Sequence, residues 1–98
     1  MLEKEPLDRV AARQMIRRIL SSEEGQIVFT HHALKESMPD ENITEDEVVG
    51  CLHRGFCGQN ITFERGTWRY PIETPGLVVV VAFDSEILAI VVTAWRRT

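Results

Sequence analysis

Leu77-Val-Val-Val-Val-Ala-Phe83, the turn Asp84-Ser85-Glu86, and then Ile87-Leu-Ala-Ile-Val-Val-Thr-Ala-Trp95 form the stretch that decides the fold. Both runs are rich in β-branched residues and apolar at odd and even positions alike. They are far shorter than the roughly 20 residues that a bilayer-crossing helix needs. Such runs predict two central strands covered on each side. Thr74-Pro75-Gly76 supplies the turn before them. Upstream, Ile61 to Arg65, a turn at Gly66 and Thr67 to Glu73 predict a hairpin with Trp68, Tyr70 and Ile72 on one face. Pro71 confines that strand to an edge or a bulge.

The period changes in the first half. Leu7, Val10, Ala11, Met15, Ile16, Ile19 and Leu20 recur at helical spacing between Pro6 and Gly25. Ile27-Val28-Phe29 is a short apolar stretch. Thr30 then caps a two-turn helix that Pro39 closes, and Thr44-Glu45-Asp46-Glu47 is a capping box that starts a helix running to about His53, with Gly55 as its stop. The expected architecture is α+β in a single domain, 1–98. It comprises an amphipathic helix over 6–24, two short helices over 30–54, and an antiparallel meander of about four strands over 58–96.

The 98 residues, 44% of them hydrophobic, suit one core. The two cysteines read as reduced thiols rather than a disulfide framework. Met1 to Pro6 lacks the basic start and apolar segment of a secretory signal, so a cytoplasmic location with no membrane contact is expected. The net charge of -4 argues against a general nucleic-acid binder. The charge is uneven: residues 1–47 hold 6 basic and 11 acidic side chains, and residues 48–98 hold 5 and 4. An anionic ligand should therefore meet the second half.

Several residues invite chemistry. His31-His32 opens a helix, where the dipole favours the neutral, proton-accepting imidazole; the plainer account is that one caps or packs and the other is solvated. Cys51, His53 and Cys57 are poorly spaced for zinc, because Cys51 and His53 point to different helix faces, so no metal is expected. Arg9, Arg13 and Arg17 stand at i, i+4 and i+8, a stripe that suits solvent or a partner better than an anion. Arg54, Arg65, Arg69, Arg96 and Arg97 accompany Trp68, Tyr70 and Trp95, and cations beside rings are what a single-stranded RNA site would use. Surface arginines over a core containing both tryptophans explain them equally well. Thr93 is polar in an apolar strand, which strand propensity alone accounts for.

His32-Ala33 opening a short helix, the Ile-Thr-Glu-Asp-Glu-Val-Val helix start, Gly55 and the terminal Val-Val-Thr-Ala-Trp strand resemble a small bacterial domain family of unknown function. That family is distantly similar to RelE, ParE and MqsR-type toxins. The resemblance covers about residues 27 to 96. It implies a RelE-like fold, helices packed on a curved antiparallel sheet, and membership of a toxin-antitoxin pair. The implied activity is metal-independent endoribonuclease cleavage of single-stranded or messenger RNA, on or off the ribosome, without cofactors. His32 would be the base or acid, Arg69 would hold the scissile phosphate, and Tyr70 or Trp95 would stack a base. Arg65, Thr93 and Arg96 would assist in binding. The chain departs from that pattern at Glu36 and Ser37, where relatives often carry an arginine. The rival expectations are a non-catalytic interaction domain, which binds an antitoxin-like protein or forms a homodimer through an apolar sheet face, and a gyrase-directed ParE-like toxin.

Overall fold

The structure is a computed structural model and describes residues 2–97. Helix α1 (Arg9–Ser21) starts where the Asp8 carboxylate accepts a hydrogen bond from the Ala11 amide at 2.8 Å, and it buries Ala12, Ile16 and Ile19. It is shorter than expected at both ends, because Asp8 takes the cap and leaves Pro6 outside. The helix also ends before Gly25. That glycine serves packing, since a Cβ there would collide with the Ile19 carbonyl oxygen.

Strand β1 (Gln26–Phe29) leads to Thr30, whose hydroxyl accepts from the Ala33 amide as a cap and donates to the Val92 carbonyl, both at 3.0 Å. A π-helical turn (Ala33–Ser37) then runs into α2 (Met38–Asp40). Pro39 therefore lies inside the helical segment rather than closing it. The Met38 amide reaches the Ala33 carbonyl five residues back, and this widened turn accommodates a ring that would clash in a regular α-helix. Helix α3 (Glu45–Arg54) carries the expected capping box between Thr44 and Glu47 and buries Val48, Cys51 and Leu52.

The remaining strands are β2 (Phe56–Cys57), β3 (Thr62–Glu64), β4 (Thr67–Glu73), β5 (Leu77–Ser85) and β6 (Leu88–Arg96). Arg65 is not a strand residue. With Gly66 it forms the two-residue hairpin turn, and both have positive φ, 51° and 82°. The sheet has six strands, not four, in the order β1-β6-β5-β4-β2, with β3 on β4. The meander β3 to β6 is antiparallel, β1 adds in parallel to β6, and β2 adds to β4.

One core joins α1 and α3 to Leu77, Val79, Val81 and Phe83 of β5, Ala89, Val91 and Ala94 of β6, and Tyr70 and Ile72 of β4. The alternate residues Val78, Val80 and Ala82 take no part in it. The expectation that β5 and β6 are covered on both sides holds in part: α1 and α3 pack on one face, and on the other Val78 and Ala82 are buried, Val80 is half-buried and Trp95 is exposed. Val78 stands between Glu73 and Trp95 across the sheet, and Val80 between Pro71 and Thr93.

The arginine stripe has a structural role. Arg9 Nε donates to the Cys57 carbonyl at 2.9 Å, Arg13 Nε to the Gly55 carbonyl at 3.2 Å, and Arg17 Nη2 to the His53 carbonyl at 3.1 Å. From Arg9 to Arg13 four helical residues advance about 6 Å while Gly55 to Cys57, two extended residues, advance about 6.6 Å, so helix and edge strand keep step there, and Arg17 carries the row onto the last turn of α3. The ladder satisfies outward carbonyls of an edge strand and an orphan carbonyl at the C-terminus of α3. Arg13 also stands over the Phe56 ring, 4.1 Å from its centroid. Arg13→Ala should cost about 1–2 kcal/mol in urea unfolding, the scale of one charged hydrogen bond plus a cation–π contact, whereas Arg18→Ala on the exposed side should change stability by less than about 0.5 kcal/mol. Equal effects of the two would show that the ladder contributes nothing.

Candidate functional site

The face turned away from α1 and α3 gathers three of the residues singled out in the sequence. Arg69 lies two residues before Pro71 on β4, Thr93 faces Val80, and Trp95 faces Val78. Trp95 is 42% exposed. Phe56, opposite Glu73, extends the apolar surface at the β2 edge. The cations here already have partners. Arg69 Nη1 is 3.6 Å from the Glu64 carboxylate, and its Nε donates to the Thr67 hydroxyl at 3.4 Å. Arg97 Nη1 is 2.9 Å from the Glu73 carboxylate.

The other expected site residues lie elsewhere. Tyr70 is fully buried on the helix-covered face, beside Phe83 with ring centroids 5.2 Å apart. Its hydroxyl donates to Glu5 Oε2 at 2.6 Å and accepts from the Leu7 amide at 3.1 Å. No ring face is left to stack a base. Burial, reinforced by the hydrogen bond to Glu5, pushes its hydroxyl pKa well above the ordinary tyrosine value. Arg65 projects from the hairpin turn. Arg96 is a structural clamp: its Nε donates to the Glu41 carbonyl at 3.0 Å, and its Nη2 reaches the Asn42 carbonyl at 2.7 Å and the Glu47 carboxylate at 3.0 Å. The Thr44 amide, then Arg96, hold the Glu47 carboxyl below its usual range. His32 sits at the start of the π-helical turn, exposed, with Nδ1 3.3 Å from Glu36 Oε2 one turn later. Glu36 thus places an anion beside the imidazole.

Chemically, the open face offers stacking and apolar contact more readily than acid–base work. Its arginines are neutralised by carboxylates, and Tyr70 points to the opposite side. The cysteines are buried and unlinked. Cys51 Sγ donates to the Ile72 carbonyl, and burial raises the pKa of both thiols, that of Cys57 to about 11. Among the described residues no three of His, Cys, Asp or Glu converge on a point that could hold a metal ion.

A second surface escaped sequence reasoning. A groove of about 700 Å³ between α1 and β2 is lined by Arg9, Val10, Arg13, Gln14, Phe56 and Ile61, among others. Its one legible signal was the arginine stripe, since the carbonyls it binds belong to a strand edge that no local pattern reveals. No protein-family model, curated protein or solved structure matches this chain.

Three groups with raised pKa values set an alkaline limit on the fold. Each loses its proton more readily in the unfolded chain, so the stability tied to it is complete below its unfolded pKa and is lost as pH rises through the folded value. The Cys51 and Cys57 thiols should begin the decline near pH 9 and Tyr70 should continue it above about pH 10. Tyr70→Phe should cost about 1–2 kcal/mol at neutral pH and flatten the loss above about pH 10 in urea titrations. An unchanged alkaline slope would remove Tyr70 as its source.

Proposed function

We propose that this chain is a non-catalytic interaction module that pairs with a second copy of itself through the sheet face opposite α1 and α3. The observation that carries this reading is a face on which Trp95 is exposed and Val80 and Ile90 are half-buried, beside the buried Val78 and Ala82, and which is electrically neutral because Arg69 is matched by Glu64 and Arg97 by Glu73. The chain as a whole carries -4, so two copies repel one another over most approaches and least where this face meets its twin. Trp95 supplies the kind of exposed aromatic anchor that dominates interfaces, and two sheets stack naturally about 10 Å apart about a twofold axis.

Arg69, Thr93 and Trp95 on one face also support a second reading, that of a surface for single-stranded RNA. Cleavage is less well supported, since Tyr70 is buried and His32 stands on the helical turn after β1 rather than on this face. An antitoxin-like protein, a ribosome or gyrase would each be met through surfaces that carry no recognisable catalytic set.

Light scattering after size exclusion, at up to roughly 100 μM, should give twice the 11.2 kDa chain mass, and Trp95→Glu or Val80→Glu should return it to the monomer with the fold intact by circular dichroism. A wild-type monomer at that concentration overturns self-pairing. Incubation with single-stranded RNA in EDTA tests the other reading: cleavage that disappears in Arg69→Ala would replace the interaction module with a nuclease.

A further inference from the structure

Three of the four arginines of α1 differ from the other hydrogen-bonded arginines. Arg69, Arg96 and Arg97 each hold a carboxylate, but Arg9, Arg13 and Arg17 hold only backbone carbonyls, with no ion pair among the described residues. Their charges are therefore uncompensated. They are also fixed, since each guanidinium is tethered at one nitrogen and Arg13 rests on the Phe56 ring. Arg9 and Arg13 spend Nε on the tether, which leaves their paired terminal nitrogens for the two-pronged grip on a carboxylate that arginine favours. Beside the row lie Val10 and Phe56, 67% and 62% exposed, and the half-buried Ile61, which line the same groove.

We propose that this groove between α1 and β2 binds an acidic, amphipathic helix of a partner protein, with carboxylates on Arg9, Arg13 and Arg17 and apolar side chains on Val10 and Phe56. The occupant is a helix rather than an added strand, because the carbonyls of Gly55 and Cys57 that a strand would need are already taken by Arg13 and Arg9. Carboxylates at i, i+4 and i+8 of a helix recur about every 6 Å, the spacing of the arginine row. Asp8 lines the end of the groove next to Arg9, which places the strongest grip at Arg13 and Arg17. A nucleic acid suits the groove less well. Residues 1–47 hold 11 acidic side chains against 6 basic, a field that repels an extended polyanion but tolerates a short acidic face. This surface is independent of the self-pairing face except at Phe56, which borders both.

The test uses the full chain and a fluorescein-labelled model helix with Glu at i, i+4 and i+8 beside a leucine row. A version with Gln at the three positions and a uridine oligonucleotide complete the set. Anisotropy should show the Glu helix binding at least about 10-fold more tightly than the Gln helix, and weakening as salt is raised. Val10→Glu introduces a repelling carboxylate at an exposed helical position away from the self-pairing face. It should weaken binding at least about 10-fold while leaving the urea midpoint and the oligomeric state unchanged. No binding of the Glu helix, equal binding of the Gln helix, or indifference to Val10→Glu overturns the proposal. Displacement of the Glu helix by the uridine oligonucleotide at comparable concentration assigns the groove to nucleic acid instead and overturns it equally.

Discussion

The pairing of β5 with β6 is the constraint on which the other elements depend. Leu77, Val79 and Val81 face Arg96, Ala94 and Val91 across it, and their inward side chains form the floor on which α1 and α3 rest. The register slips between Val80 and Val81, where Thr93 and Val91 are the successive partners and Val92 is the extra residue. That bulge has a consequence at the other end of the chain. It falls just beyond Val91, where β1 pairing with β6 ends, and the Val92 carbonyl accepts the Thr30 hydroxyl that caps the next helical turn. The strand of the N-terminal half thus finds its sheet partner in the last strand of the chain, and the helical turn after it is anchored on the same strand.

The second constraint is geometric agreement between a helix and an extended strand. A 13-residue helix is marginal alone and holds its shape by docking. Here α1 docks twice, through Ala12, Ile16 and Ile19 into the core and through three guanidinium groups along the chain from His53 to Cys57. The ladder also solves an edge problem. β2 is only two residues long, and its outward carbonyls are capped by side chains rather than left as a template for another strand.

Local signals were legible and long-range ones were not. The caps at Thr30 and Thr44 and the strands of the meander follow from side-chain chemistry within a few residues. The parallel union of Ile27–Phe29 with β6 has no local signature, because the partner lies some sixty residues away. The apolar runs of β5 and β6 were compatible with burial on two faces or with burial on one and a neutral apolar surface on the other. Alternation did contain a warning about the site. Arg69 and Tyr70, like Trp95 and Arg96, are neighbours on a strand and so point to opposite faces, and no single cleft could have used both members of either pair. The structure separates them accordingly: Arg69 and Trp95 go to the open face, Tyr70 to the core and Arg96 to the loop before α3.

Charge placement ties these features together. Two of the arginines of the sheet half are neutralised within its open face, and Arg96 is consumed in joining β6 to Glu41, Asn42 and Glu47. Arg9, Arg13 and Arg17 of α1 lie in the acidic half, where sequence balance alone would place no anion, yet these are the ones anchored on neutral carbonyls with charge to spare. Net charge by segment misdirects because it sums residues regardless of their partners. A cation held by a carboxylate adds little outside its pair, whereas one held by a carbonyl keeps its field. By that criterion Arg9, Arg13 and Arg17 keep their field along α1 while Arg69, Arg96 and Arg97 of the sheet do not, which is why an acidic partner suits the helix better than the open sheet face.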